Sequence, residues 1–465
     1  MRRFAMLVVL LGCSATEGTI EAQTTRVVVQ SSGGETPGST TSSWLGGSAV
    51  RTRVVVGADG ETYVGVWIDA PNEPVVDVVT RAPMAVSLVV DTSGSMSGDK
   101  IEHARMAASS LLESLADGDI VSIYAFANGV AEVAPPTVMD PATRGDLMNR
   151  VRYLHAGGGT NLYGGVSTGL QRLAQAPASH PVRRIFLVSD GQANVGPSDP
   201  QTLGHLAANG TEHGAQISAI GVGLDYDEHT LGSLAVQSSG RLWHLEHPHQ
   251  LAAILEGEVQ LLARTVATNA VIEIHPAPGV TILEPMTPGA SVQGNVLRVP
   301  LGTVFAGQHR DVLFKARVDT ARPGARELAT AQLRYVTPGA TTTPATQVAP
   351  LRYEVVRDTR AAEASAAPRV VAMVANVEAA VAQQRAAEAL MRGDRVEAER
   401  QFQFADDRID GALAAPVDAE VRTRLQSSQT RLRATRARAA EAPSPAAARG
   451  AALDAYDNAM EASGY

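Results

Sequence analysis

Apolar residues recur along the chain in three rhythms, and each predicts a different architecture. Between Met84 and Glu258, continuous apolar runs alternate with stretches of helical spacing. The runs Val86–Val90, Ile120–Phe126, Ile185–Ser189, Ile217–Val222 and Leu242–Leu245 read as buried strands. Ile101, Ala104, Ala108, Leu111 and Leu115 share one helical face, which predicts a helix over Lys100–Leu115. A second helix is expected over Asn161–Leu173. Alternating elements with unbroken apolar strands predict an α/β domain over 84–258, a doubly wound and mostly parallel sheet covered on both faces. Right-handed crossovers then bring several strand C-termini to one edge.

The second rhythm has period two. Val271–Ile274, Val280–Leu283, Val296–Leu301, Asp311–Val318, Ala329–Tyr335 and Leu351–Val356 are short runs punctuated by Pro and Gly. They predict an antiparallel β-sandwich over 259–357. An earlier stretch, Val50–Ala70, reads as a hairpin turning at Ala58-Asp59-Gly60, with Thr62–Ile68 as its return strand. Two strands cannot bury a core alone, so 48–83 is expected to join the sandwich, with the α/β domain inserted. The third rhythm, over 358–465, is helical and rich in Ala and Arg. Val370, Val374, Val377, Ala380 and Val381 are expected on one face. The run Ala386, Ala389, Leu390, Gly393, Asp394, Ala398 is similar to a tetratricopeptide unit, but one copy lacks the neighbours such a repeat needs. A helical hairpin is the better reading, with Pro443-Ser444-Pro445 breaking the array.

Composition changes this picture at the ends. The 465 residues are 45% hydrophobic and 19% charged, with net charge −9. Mild acidity argues against a nucleic-acid or anionic-membrane surface. Arg2 and Arg3 precede the short apolar stretch Phe4–Leu11, as in a signal peptide. Leu10-Leu11-Gly12-Cys13 resembles a bacterial lipobox, in which Cys13 would be lipidated. Cys13 is the only cysteine, so no intramolecular disulfide can form. Residues 14–47, rich in Ser, Thr and Gly, read as a flexible linker. These features predict a lipid-anchored protein of the bacterial cell envelope, outer membrane favoured, whose only membrane contact is the lipid.

Candidate chemistry lies where the first apolar strand stops. Asp91, Ser93 and Ser95 follow it on a loop before a helix, in the crevice where open α/β sheets bind ligands. Carboxylate and hydroxyl oxygens suit a hard cation such as Mg²⁺, Mn²⁺ or Ca²⁺. A Ser-rich helix cap is the competing explanation. Two further stretches shift the balance. Gly157-Gly158-Gly159-Thr160 offers Thr160 before a helix, and Ile185–Gly191 offers Asp190 at a strand end. Together the five positions resemble the metal-ion-dependent adhesion site of von Willebrand factor type A domains, over about Met84 to Glu258. The resemblance implies that Ser93, Ser95 and Thr160 coordinate Mg²⁺ or Mn²⁺, with Asp91 and Asp190 binding directly or through water. It also implies an open coordination position for a partner's Asp or Glu.

Other motifs are weaker. Gly165-Val166-Ser167-Thr168-Gly169 spells a nucleophile elbow, but Ser167 falls inside a predicted helix. His244, His247 and His249 form a histidine cluster without zinc-like spacing or a fourth ligand. Arg144-Gly145-Asp146 and Arg392-Gly393-Asp394 spell an integrin tripeptide at predicted helices. His155 is a candidate for the rim of the Thr160 loop. The expectation is therefore a non-enzymatic envelope lipoprotein that captures an acidic residue of a partner protein through a Mg-type ion. The alternatives are a structural or regulatory subunit acting through its helical C-terminus and, less favoured, a metal-dependent hydrolase.

Overall fold

The computed structural model describes residues 43–72, 81–338 and 344–464. Cys13 and most of the expected linker lie outside these residues.

The chain enters through β1 (Leu45–Ala49), β2 (Arg53–Val55) and β3 (Glu61–Asp69). The expected Val50–Ala70 hairpin is not what forms. Strand β1 is the antiparallel partner of β3, whereas β2 pairs in parallel with a strand of a different sheet, at Glu354–Val356. The linker reading of 45–47 fails for the same reason. Gly46 is not a flexibility signal: a Cβ there would lie 2.5 Å from the Trp67 indole nitrogen. The small residue lets a bulky neighbour cross the strand.

The α/β domain follows. Its elements are β4 (Met84–Asp91), α1 (Asp99–Ser114), β5 (Ile120–Phe126), β6 (Val130–Val138), α2 (Pro141–Val151), α3 (Leu162–Ala174) and β7 (Val182–Ser189). They continue through α4 (Pro200–Thr211), β8 (Ala215–Val222), α5 (Glu228–Gln237), β9 (Arg241–Leu245) and α6 (Leu251–Ala263). The sheet order is β6-β5-β4-β7-β8-β9, parallel except for β6. All eight residues of the central strand β4 are buried, as a strand covered on both faces requires. One face packs on α1, α2 and α6 through Leu111, Val151 and Leu255, and the other on α3, α4 and α5 through Val166, Leu203 and Leu234. The edge strand β6 carries Pro135 and Pro136. These hid it from a pattern reading, yet prolines are tolerated at a sheet edge.

Seven further strands complete the sandwich: β10 (Thr265–Pro276), β11 (Thr281–Pro285), β12 (Ser291–Gln293), β13 (Val296–Phe305), β14 (His309–Arg317), β15 (Gly324–Val336) and β16 (Ala345–Val356). They form sheets β1-β3-β14-β11 and β12-β13-β10-β15-β16-β2. Val64, Val66, Phe314, Ile272, Val299 and Leu333 fill the core of the sandwich. The α/β domain is thus inserted between strands of one sandwich, as the two rhythms predict.

The C-terminal region holds α7 (Thr359–Glu363), α8 (Pro368–Met391), α9 (Arg395–Leu413), α10 (Ala419–Glu441) and α11 (Pro445–Ala462). Gly393, at φ +76°, turns α8 into α9, and Asp394 caps α9 by accepting the Glu397 N–H at 3.0 Å. Pro443-Ser444-Pro445 does not end the array. Ser444 caps α11 and Pro445 occupies its first turn. Helix α11 returns to pack on α8, closing a bundle around Phe402, Ile409 and Leu432. On α8, Val370 and Met373 cover the outer face of β3 and β14, while Val381 is exposed rather than aligned with them.

Helix α11 also belongs to the α/β domain. Leu453 and Met460 join the core around α3, α4 and α5. Its Asp457 accepts a hydrogen bond from the His244 backbone on β9. Burial, then the charges of Glu461 and Asp454, pushes the Asp457 carboxyl up to about 7 from 3.8. The folded chain therefore keeps a proton that the unfolded chain releases. Stability falls as pH rises from about 4 to about 7 and stays lowered above. Asp457→Asn is expected to exceed the wild type in urea stability at pH 8 by on the order of 2 kcal/mol, with the gap closing at pH 4. Equal urea midpoints at pH 8 would refute this.

Candidate metal centre

The site is built at the C-terminal edge of β4, β5 and β7. Asp91 is the last residue of β4. Its Oδ1 accepts the Ser93 N–H at 2.8 Å, which folds the chain into a tight turn. A short turn over Gly94–Met96 follows, anchored by fully buried Met96. Gly94 N–H bonds the Gly158 carbonyl and Gly157 N–H bonds the Thr92 carbonyl, so the first loop is laced to the loop bearing Thr160. Asn194 holds that second loop by accepting the Thr160 N–H at 2.8 Å and donating its own N–H to the Thr160 carbonyl.

Four of the five candidate side chains meet in one hydrogen-bonded network. Ser189 Oγ donates to Asp91 Oδ2 at 2.7 Å. Ser93 Oγ and Ser95 Oγ lie 3.0 Å apart, and Ser95 Oγ donates to Asp190 Oδ1 at 2.7 Å. Thr160 belongs to the same cup: a Cβ built on Gly191 would sit 3.3 Å from Ser95 Oγ and 3.8 Å from Thr160 Oγ1. Asp91, Ser93, Thr160 and Asp190 are buried, and Ser95 is open to solvent. Burial pushes the Asp91 carboxyl up; the bonds from Ser189 and Ser93 pull it back, and the charge of Asp190 adds to the rise.

The donor set fits a small hard cation. Neighbouring oxygens around octahedral Mg²⁺ lie about 2.9 Å apart, given bonds of about 2.05 Å. The Ser93–Ser95 and Ser95–Asp190 separations match such edges. Two buried carboxylates in one cup also call for positive charge.

Sequence reasoning missed two participants. Lys100, in the first turn of α1, places Nζ 2.5 Å from Asp190 Oδ2. The signal was available: it is one of only two lysines in the chain. Ser189, read as a strand end, is what holds Asp91 in place.

The other motifs resolve differently. Ser167 lies within α3 and accepts a bond from Gln171, so no elbow exists there. Arg144 and Asp146 are in α2, and Arg144 is tied to Leu112 and Leu115 carbonyls and to Asp117. Arg392, Gly393 and Asp394 make the capped turn between α8 and α9. His155 is exposed, its ring bonded to the Tyr153 carbonyl. His244 faces Tyr226, with Nδ1 3.1 Å from the phenol oxygen, while His247 and His249 stack with centroids 5.7 Å apart. The three histidines do not converge. A second cluster, Asp69, His309 and Glu420, brings donor atoms within 4.8 Å of one another. Its charges are already compensated: Arg369 bonds Asp69 at 2.7 Å and Arg424 bonds Glu420 at 2.7 Å. His309 lies between the carboxylates of Asp69 and Asp311, which raise its pKa against the effect of burial. An ion-pair network between sandwich and helices explains it without a metal.

Residues 86–192, which contain all five candidate positions, match the family model of the von Willebrand factor type A domain. The chain carries a von Willebrand factor type A domain. Domains of this family often bind a divalent metal and mediate protein–protein interactions. An uncharacterized protein of Synechocystis sp. is 27% identical over 269 residues, 56% of this chain and 63% of that protein. The inter-alpha-trypsin inhibitor heavy chain H3 of Mesocricetus auratus is 26% identical over 197 residues, 41% of this chain and 22% of that one. This chain therefore spans less than two thirds of the length of these curated relatives. Among solved structures, a von Willebrand factor type A protein from Catenulispora acidiphila superposes with a TM-score of 0.73 at 17% identity, covering 91% of this chain and 98% of that one. The ArnB paralog VWA2 from Sulfolobus acidocaldarius gives 0.59 at 16% identity, covering 90% and 98%. These likenesses concern the fold, and their coverage extends it beyond the von Willebrand factor type A domain to the sandwich and helices.

Proposed function

We propose that this protein binds a partner protein through a divalent cation held by Asp91, Ser93, Ser95, Thr160 and Asp190. The observation that carries the reading is the meeting of Asp91, Ser93, Ser95 and Asp190 in one cup, across about a hundred residues of sequence, with Ser95 open to solvent. A hard cation in that cup, Mg²⁺ favoured, would present a Lewis-acidic position toward solvent. The complementary ligand is a carboxylate from an Asp or Glu of the partner. Binding rather than catalysis is the better reading, because Ser93 and Ser95 bond each other and Asp190 instead of an activating imidazole. The acidic net charge supports a protein rather than a nucleic-acid partner. We also propose that Cys13 anchors the chain to the cell envelope by a lipid, on the strength of the Leu10-Leu11-Gly12-Cys13 stretch.

The test is affinity capture from envelope extracts, using protein without residues 1–13, in Mg²⁺ and in EDTA, with Asp91→Ala as control. The expected result is a partner retained in Mg²⁺ and lost in both other arms. Equal capture in all three arms would move the interaction away from this site. In the same cells, full-length Cys13→Ala should shift from the membrane to the soluble fraction; unchanged membrane association would remove the anchor.

A further inference from the structure

The cup contains a cation of its own. Lys100 reaches it from the first turn of α1, with Nζ 2.5 Å from Asp190 Oδ2. Asp190 is fully buried, and the Lys100 side chain is 24% exposed. The two oxygens of Asp190 are thus divided: Oδ1 takes the Ser95 hydroxyl and Oδ2 takes the ammonium. Among the described residues, no other Lys, Arg or His is ion-paired to Asp91 or Asp190. The lysine passes beside Gly223, just past β8, at ordinary contact distance. A Cβ there would meet Lys100 Cε and Nζ at 3.5 Å.

We propose that Lys100 is a fixed counter-charge that makes cation binding at this site depend on an added carboxylate. The proposal rests on the metal-site reading above. Asp91, Asp190 and Lys100 sum to −1. A divalent ion takes the cup to +1, an unfavourable charge in a partly buried site. One carboxylate from outside restores neutrality. Without Lys100 the two aspartates alone would neutralise the ion, and nothing further would be required. Ion and carboxylate therefore stabilise each other, and the coupling is reciprocal. A neutral amide ligand would bring no such gain. The ligand class is thus narrowed to carboxylates, borne on a side chain or a chain terminus.

The experiment titrates the protein without residues 1–13 with Mn²⁺ and reads free Mn²⁺ by electron paramagnetic resonance. Acetate is the carboxylate probe, acetamide the neutral control, and chloride holds ionic strength constant. Wild type is compared with Lys100→Gln, Lys100→Arg and Asp91→Asn. Wild type should bind Mn²⁺ more tightly in acetate than in acetamide. Lys100→Gln should bind Mn²⁺ at least roughly tenfold more tightly without acetate, and the acetate enhancement should largely vanish. Lys100→Arg, which keeps the charge, should resemble wild type. A merely structural role for Lys100 would weaken or leave unchanged the affinity of Lys100→Gln, and either result overturns the proposal. So does an acetate enhancement equal in both proteins. If Mn²⁺ binding is absent, or survives Asp91→Asn undiminished, the metal-site reading itself falls, and this proposal with it.

Discussion

Asp91→Asn is expected to abolish the stabilisation of this protein by Mg²⁺. A cation that binds only the folded chain adds about 2.7 kcal/mol at a hundred times its dissociation constant. Wild type should therefore unfold at a higher urea concentration in Mg²⁺ than in EDTA. The variant keeps the shape of the side chain and an oxygen to accept the Ser93 N–H that Asp91 binds at 2.8 Å. It lacks one of the two buried negative charges of the cup. Metal affinity should drop at least about a hundredfold, or about 2.8 kcal/mol at about 1.4 kcal/mol per factor of ten. In EDTA the variant should lose little, because a buried carboxylate close to Asp190 is itself a burden, evident in the raised Asp91 pKa. If Mg²⁺ raises the urea midpoint of Asp91→Asn as much as that of wild type, the ion sits elsewhere.

Arg449→Ala should produce the largest loss of stability without touching the cup. Arg449 lies on α11 and clamps α5. Its guanidinium bonds Glu228 through Nη1 at 3.2 Å and Nη2 at 2.6 Å, while Nε and Nη2 donate to the Leu224 and Tyr226 carbonyls. The Glu228 side chain is only 4% exposed. Truncating the arginine leaves that buried carboxylate with only the exposed His229 imidazole, 3.8 Å away, a change that costs about 3–5 kcal/mol. Arg449→Ala combined with Glu228→Gln should recover part of the loss, since the stranded charge is then gone. Urea denaturation of wild type, the single variant and the double variant measures both. A loss below about 1 kcal/mol would mean that the Arg449 clamp contributes little to holding α11.

Much of this architecture was legible because it is periodic. Continuous apolar runs such as Val86–Val90 and Ile217–Val222 mark strands covered on both sides, and the structure buries them fully. The Asp91, Thr160 and Asp190 loops were legible because each follows a strand or precedes a helix in a fixed context. What escaped notice was aperiodic or non-local. Strand β1 is written in Gly and Ser because Trp67 crosses it. Strand β2 looked like half of a hairpin, yet it serves a strand some three hundred residues away, because pairing partners are not encoded locally. Lys100 looked like an ordinary first-turn residue; only the fold brings it to Asp190. The helical region reads as separate because its composition differs, although Leu453 and Met460 complete a core laid down by residues 85–242.

That last feature governs how the molecule can be made. Synthesis runs from the N-terminus, so the α/β sheet is complete in sequence once β9 and α6 have emerged. One of its faces still lacks α11, about two hundred residues downstream. The nascent domain must wait with its α5 and β9 side incompletely covered until the eighteen-residue helix α11 is delivered. Final consolidation of the α/β domain is thereby tied to the arrival of α11, and a product terminated before that helix cannot present a finished one.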